Sequence, residues 1–167
     1  MTSNTNLIIR FAEPSDSQTL FKLIQGLAEY EKLSHTVTGN VELLHEHLFG
    51  SRKYIEAIIA EFEGKAVGFA LYFYNYSTYL TKPGIFLEDI FVLPANRYQG
   101  IGKALLIKIA QTALENDCGR LEWNVLDWNI SAQEFYRSMG AYIVEDRRLC
   151  RVNEENLIKL ATVNCIK

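Results

Sequence analysis

The chain predicts an α/β fold, a mixed sheet flanked by helices, and three observations carry that prediction. Apolar runs over 54–62, 66–76 and 85–93 have strand length and are rich in β-branched and aromatic residues. Leu20, Leu23, Ile24, Leu27 and Ala28 recur at helical spacing, as do Leu105, Leu106, Ile109, Ala110, Ala113 and Leu114. Strands come side by side in the first half and alternate with helices in the second, an order that suits a mixed sheet.

Element by element, residues 7–11 read as a first strand. Pro14 and Ser15 announce a helix, with Ser15 and Gln18 spaced as a capping box and Tyr30 and Glu31 at the helix end. Residues 41–49 suggest a short second helix. Strands over 54–62 and 66–76 meet at Glu63-Gly64-Lys65, a hairpin signal. The next strand, 85–93, is stopped by Pro94, and the long helix 101–116 has Gly119 beyond its end. A fifth strand over 120–126, a short helix over 131–139, strand candidates at 142–145 and 149–152 and a last helix over 154–161 complete six to seven strands. No linker, repeat or low-complexity stretch interrupts this order, so residues 1–167 are expected to form one domain.

A length of 167 residues, with 49% hydrophobic and 22% charged residues, describes a folded, soluble domain. The apolar runs are too short to span a bilayer, and residues 1–6 show no signal-peptide pattern, so a cytoplasmic protein without membrane contact is expected. Cys118, Cys150 and Cys165 form an odd set without metal-ligand spacing, which fits a reducing compartment. His45 and His47 stand two apart on a helix and do not share a face, so no metal site is expected. A net charge of −3 weighs against a nucleic-acid partner and sits easily with a cationic small substrate. The aromatic run Tyr72, Phe73, Tyr74, Tyr76 and Tyr79 reads as core plus cleft wall.

The chemistry is carried by Arg97-Tyr98-Gln99-Gly100-Ile101-Gly102, between the strand ending at Leu93 and the long helix. A glycine-containing turn entering a helix presents uncapped backbone N–H groups and the positive end of the helix dipole, a place for phosphate. A Walker loop does not fit: Arg97 stands where a glycine is needed, and Gly102-Lys103 is followed by Ala104, which lacks the hydroxyl for magnesium. The dinucleotide fingerprint fails as well, because Leu105 takes the place of its third glycine.

With Arg97, Gly100 and Gly102 in place, the segment resembles the acetyl-coenzyme A loop of the GCN5-related N-acetyltransferase (GNAT) superfamily. The blocks 27–33 (LAEYEKL), 86–92 (FLEDIFV) and 125–129 (VLDWN) resemble its diamine (spermidine/spermine) and thialysine N-acetyltransferases, and the wording of the first and third, with Tyr76-Ser77-Thr78, is nearer the thialysine branch. The resemblance implies the GNAT fold with a mostly antiparallel central sheet, acetyl-CoA as co-substrate and a homodimer. It implies coenzyme contacts from Asn129 and Tyr136, with Tyr136, in F-Y-x-x-x-G, protonating the departing thiolate. It also implies that the strand end at Ile90, Phe91, Val92 and Leu93 pairs with the pantetheine arm. The N–H groups around Gln99, Gly100, Ile101, Gly102 and Lys103 should hold the pyrophosphate beside Tyr98, with Arg97 or Lys103 adding charge.

Acetyl transfer needs a neutral amine, whereas an alkyl ammonium has a pKa of about 10.4. Glu88, on the strand before the coenzyme loop, is the candidate base, directly or through water. Asp89 falls on the opposite face of a regular strand and takes a substrate-side or structural role, which a bulge would change. The resemblance assigns Glu31 to the substrate amine, with Tyr30 and Tyr79 lining the cleft. Where diamine relatives carry Asp and Trp after the tyrosine, this chain has Ser77-Thr78-Tyr79, and Asp146-Arg147-Arg148 stands where relatives place a Trp. Arg147 repels a long polyamine and attracts a carboxylate, so a lysine-like amino acid such as thialysine fits better than spermine. The expected enzyme is an acetyl-CoA-dependent N-acetyltransferase working by direct attack in a ternary complex. Acetylation of a protein lysine or N-terminus, and a non-catalytic acyl-CoA sensor, are the alternatives.

Overall fold

A computed structural model describes residues 6–162. It falls into two compact units, divided between Leu126 and Asp127. Cys165 and residues 1–5 lie outside the described residues.

The first unit is built on five strands: β1 (Leu7–Phe11), β2 (Glu56–Phe62), β3 (Lys65–Ser77), β4 (Lys82–Val92) and β5 (Leu121–Trp123). Their order in the sheet follows the chain; all neighbours are antiparallel except the parallel pair β4 and β5. Helices α1 (Ser17–Tyr30) and α2 (Val41–Phe49) follow β1, and α3 (Ile101–Glu115) makes the crossover from β4 to β5. The fold class is therefore the expected one, a mixed and mostly antiparallel sheet with flanking helices.

Alternation along the strands sends side chains to both faces. On one face Ile59, Phe69, Leu71 and Phe91 pack with Leu20 and Leu23 of α1 and Leu48 of α2. Ile58, Ala60, Ala70 and Ile85 alternate to the other face and are fully buried, as are Leu105 and Ile109 of α3. The β2–β3 turn has two residues, Glu63 and Gly64, both with positive φ (51° and 74°), the backbone of a type I′ hairpin.

Three expectations change. The sheet has five strands rather than six to seven: 142–145 and 149–152 are without regular structure, and Tyr142, Val144, Leu149 and Val152 are exposed. Alternating apolar residues make a strand only beside a partner edge, and these segments find none among the described residues. The strand expected over 120–126 shrinks to three residues, because β4 bulges just beyond their register. The helix start is bonded through Asp16, whose Oδ2 accepts from Glu13 N–H at 2.7 Å, and not through Ser15 and Gln18; a 3-10 turn over Pro14–Asp16 precedes α1. That end is pinned by Arg10, whose guanidinium reaches Asp16 at 2.7 Å and Glu61 at 2.6 Å.

The second unit contains α4 (Ile130–Ser138) and α5 (Glu154–Thr162). No helix of the described residues is long and apolar enough to cross a membrane.

Candidate active site

The site begins with one extra residue. Leu71 of β3 pairs with Asp89, but its neighbour Tyr72 pairs with Leu87, so Glu88 has no partner and forms a β-bulge. The bulge has two consequences. β5 pairs only with Ile85, Phe86 and Leu87, so past Leu87 no strand of the described residues pairs with the second edge of β4. It also sets the two acids apart: Glu88 is exposed, while half-buried Asp89 lies opposite Leu71, on the face covered by α1.

Helix α1 ends there, at Tyr30, with Glu31 as its C-cap, its N–H bonded to Leu27 O at 2.9 Å. Burial pushes the Asp89 carboxyl up to about 7, and the charges of Glu88 and Glu31 add to it. Burial also raises Glu31. A negative charge at a helix C-terminus meets the unfavourable end of the dipole. Among the described residues, no lysine or arginine forms an ion pair with any of these three carboxylates. They make a half-shielded negative site that a cationic amine suits, with one group poised near neutrality to exchange a proton. The signal for Asp89 was present in the sequence as two adjacent acids inside an apolar strand; what it lacked was the bulge.

Beyond β4 the chain enters α3 through Arg97 to Gly100. Gly100 is the N-cap in the left-handed region (φ 83°), no side chain caps the helix, and its first turn holds no acid. A Cβ added at Gly100 would meet nothing within 4 Å, so the space before these N–H groups is open. Lys103 and Gln99 are exposed there, while Ile101 anchors the helix as a buried side chain. This end fits a diphosphate. Tyr98 stands 98% exposed at a φ of 61°, where a bulky side chain is strained. Phe91 and Val92 are buried, so only their backbone is available to a ligand. Leu93 N–H bonds Val67 O at 2.8 Å, which turns the polar groups of Ile90 and Val92 to the unpaired edge. A polyamide arm suits such an edge.

Arg97 departs from expectation. Its Nε donates to Val92 O at 3.0 Å, and its guanidinium lies 4.2 Å from the Tyr30 ring centre and 5.6 Å from that of Phe91. It is folded back onto the protein, and the charge exposed at the loop is that of Lys103. Tyr79 is also not brought to the carboxylates. It is 95% exposed in the turn between Ser77 and Lys82, and Leu87 lies five strand steps beyond Lys82, about 17 Å.

The remaining expected residues lie in the second unit. Asn129 is the N-cap of α4, its Oδ1 accepting from Ala132 N–H at 3.2 Å. Tyr136 is half-buried on α4, its ring 5.4 Å from that of Phe135. Arg147 is exposed in the segment between α4 and α5.

A sheet opened at a bulge, a carboxylate cluster beside it and an uncapped helix start after it define the arrangement of an acyl-coenzyme A dependent acetyltransferase. The profile of the Acetyltransferase (GNAT) family matches residues 24–141. The chain is 39% identical to the thialysine N-epsilon-acetyltransferase of Bos taurus, over 81% of this chain and 84% of that protein. It is 29% identical to the L-ornithine N5-acetyltransferase of Arabidopsis thaliana, over 93% and 88%. The solved structure of an integron cassette protein from V. cholerae superposes with a TM-score of 0.80 at 24% identity, covering 95% and 99%, a likeness of fold. The chain belongs to the GNAT family and is an N-acetyltransferase.

Proposed function

We propose that this enzyme acetylates the side-chain amine of a small diamino acid of the thialysine, lysine or ornithine type, using acetyl-CoA. The observation that carries the reading is the carboxylate cluster at the β4 bulge, with Asp89 raised to about 7. The names of the bovine and Arabidopsis relatives support the substrate class.

In this reading the trio of Glu31, Glu88 and Asp89 binds the ammonium, and Tyr30 lines the cleft beside it. Asp89 takes the proton, with Glu88 at the solvent side relaying it onward through water. Magnitudes favour a raised carboxyl as the acceptor. Moving a proton from an amine of pKa about 10.4 to an ordinary carboxylate of about 4.3 costs ~8 kcal/mol, whereas an acceptor near 7 lowers that to ~5 kcal/mol. Acetyl-CoA supplies an activated thioester, so no covalent acyl-enzyme is needed. The N–H groups at the start of α3, with Gln99 and Lys103, hold its diphosphate, and the open edge at Ile90, with the Val92 N–H, takes the polyamide arm. Asn129 orients the coenzyme, and the Tyr136 hydroxyl gives its proton to the departing thiolate. Arg147 attracts the substrate carboxylate. Residues 1–167 work as one catalytic domain. Free thiols at Cys118 and Cys150 support a cytoplasmic enzyme. Exposed Tyr142, Leu149, Ile158 and Leu160 support a homodimer, and light scattering at the monomer mass would refute it.

The test is thiol release from acetyl-CoA with thialysine, lysine, ornithine, spermidine, short diamines and a lysine peptide. Turnover on the diamino acids, lost in Tyr136→Phe, is expected. Preference for spermidine or the peptide would overturn the substrate class, and coenzyme binding without release on any amine would overturn the reading.

A further inference from the structure

Arg97 occupies the signature position of the coenzyme loop, yet its side chain is spent elsewhere. It closes a short circuit between three parts of the first unit. Nε caps the carbonyl of Val92 on the open edge of β4, at 3.0 Å. The guanidinium lies 4.2 Å from the Tyr30 ring centre, at the last residue of α1. The backbone of Arg97 leads directly into the turn before α3. The next residue after Tyr30 is Glu31, one of the three carboxylates.

We propose that Arg97 is a positioning residue that couples the coenzyme side of the site to the amine side, by clamping the α1 end that carries Glu31 onto the β4 edge and loop that receive the coenzyme. The inference rests on the proposed function for which ligand lies on which side. Its physical content is a two-ended contact. The planar guanidinium stacks on the phenol while its Nε remains a donor, a combination that lysine lacks. A shift of the loop is thereby felt by Glu31, and a shift of α1 by the β4 edge.

The ends can be cut separately. Arg97→Gln keeps an amide donor for Val92 O but removes the cation over the ring. Tyr30→Leu removes the ring and leaves Arg97 its carbonyl. Each is expected to raise the amine KM about fivefold, the loss of ~1 kcal/mol of a partly shielded cation–π contact, while the calorimetric Kd for acetyl-CoA stays within about twofold. Because the Arg97–Tyr30 contact is lost in both variants, the double variant should lose clearly less than the sum of the two single losses, in amine KM and in Tm. Strictly additive losses would overturn the clamp. So would an unchanged amine KM in Arg97→Gln with acetyl-CoA Kd raised about fivefold or more, the mark of a direct phosphate contact. If the wild type binds acetyl-CoA but acetylates no amine, the proposed function fails. The Tm cycle then decides the clamp alone, and additivity there would sink it.

Discussion

The two halves of β4 are one strand with two different lives. From Lys82 to Leu87 it has β3 on one side, reaches β5 on the other over Ile85 to Leu87, and buries Ile85 and Leu87 fully or nearly so. From Glu88 to Val92 it keeps β3 alone and carries two acids of the candidate site. A single unpaired residue separates them. The difference shows how little a sheet must give up to become a site: one bulge releases an edge, exposes one carboxylate and leaves its neighbour half-shielded beside α1. The first half should answer to packing and the second to protons.

The largest effect should come from the second half. Asp89→Asn is expected to lower kcat/KM by about 10²- to 10³-fold, the range of a lost general base. In the wild type, kcat/KM should rise with pH through about 7, since the base acts when ionised, and that limb should vanish in the variant. A limb kept in Asp89→Asn and lost in Glu88→Gln would return the role to Glu88. Next, Glu88→Gln should cost about tenfold in kcat with the limb retained, as expected of a relay whose place water can partly fill.

The first half offers the opposite signature. A Cβ at Gly84 would stand 2.5 Å from Asn75 Oδ1 and 3.1 Å from Arg120 Cγ. Gly84→Ala should therefore lower stability by about 1–2 kcal/mol in urea unfolding, with the pH limb unmoved. A shifted limb would mean the halves are not separable. A last effect, on stability, is again at Asp89. Its carboxyl binds a proton more tightly folded than unfolded, so stability should fall as pH rises from about 4 to about 7. Asp89→Asn removes that cost, and at pH 8 its Tm should exceed wild type by about 8 °C, measured by calorimetry.

Much of this comparison could be read in the sequence, and the exceptions have a common cause. Period and punctuation found α1, α2, α3 and α4 within a residue or two, because helical spacing and caps are local. The strand cores at 56–62 and 65–77 were equally plain. The uncapped glycine turn before α3 was legible because its free N–H groups follow from backbone geometry alone. Glu88 and Asp89 were both visible, but which one is shielded depends on a bulge created by pairing with Tyr72 and Leu71, fifteen and more residues away. The inward fold of Arg97 depends on Tyr30, 67 positions earlier. The strands expected at 142–145 and 149–152 failed for the same reason, since alternation says what a strand would bury but not whether an edge is there to receive it.

The half-open edge of β4 carries a hazard as well as a use. Unpaired backbone groups on an exposed strand invite a strand from another molecule, the first step of edge-to-edge aggregation. Here the bulge breaks the straight run of donors and acceptors that such a strand would need, two acidic side chains stand at the break, and Arg97 holds the Val92 carbonyl. A small, flexible, solvated ligand can still reach Ile90; a second polypeptide strand finds too short a track. The features that open the edge thus also blunt the hazard that an open edge brings.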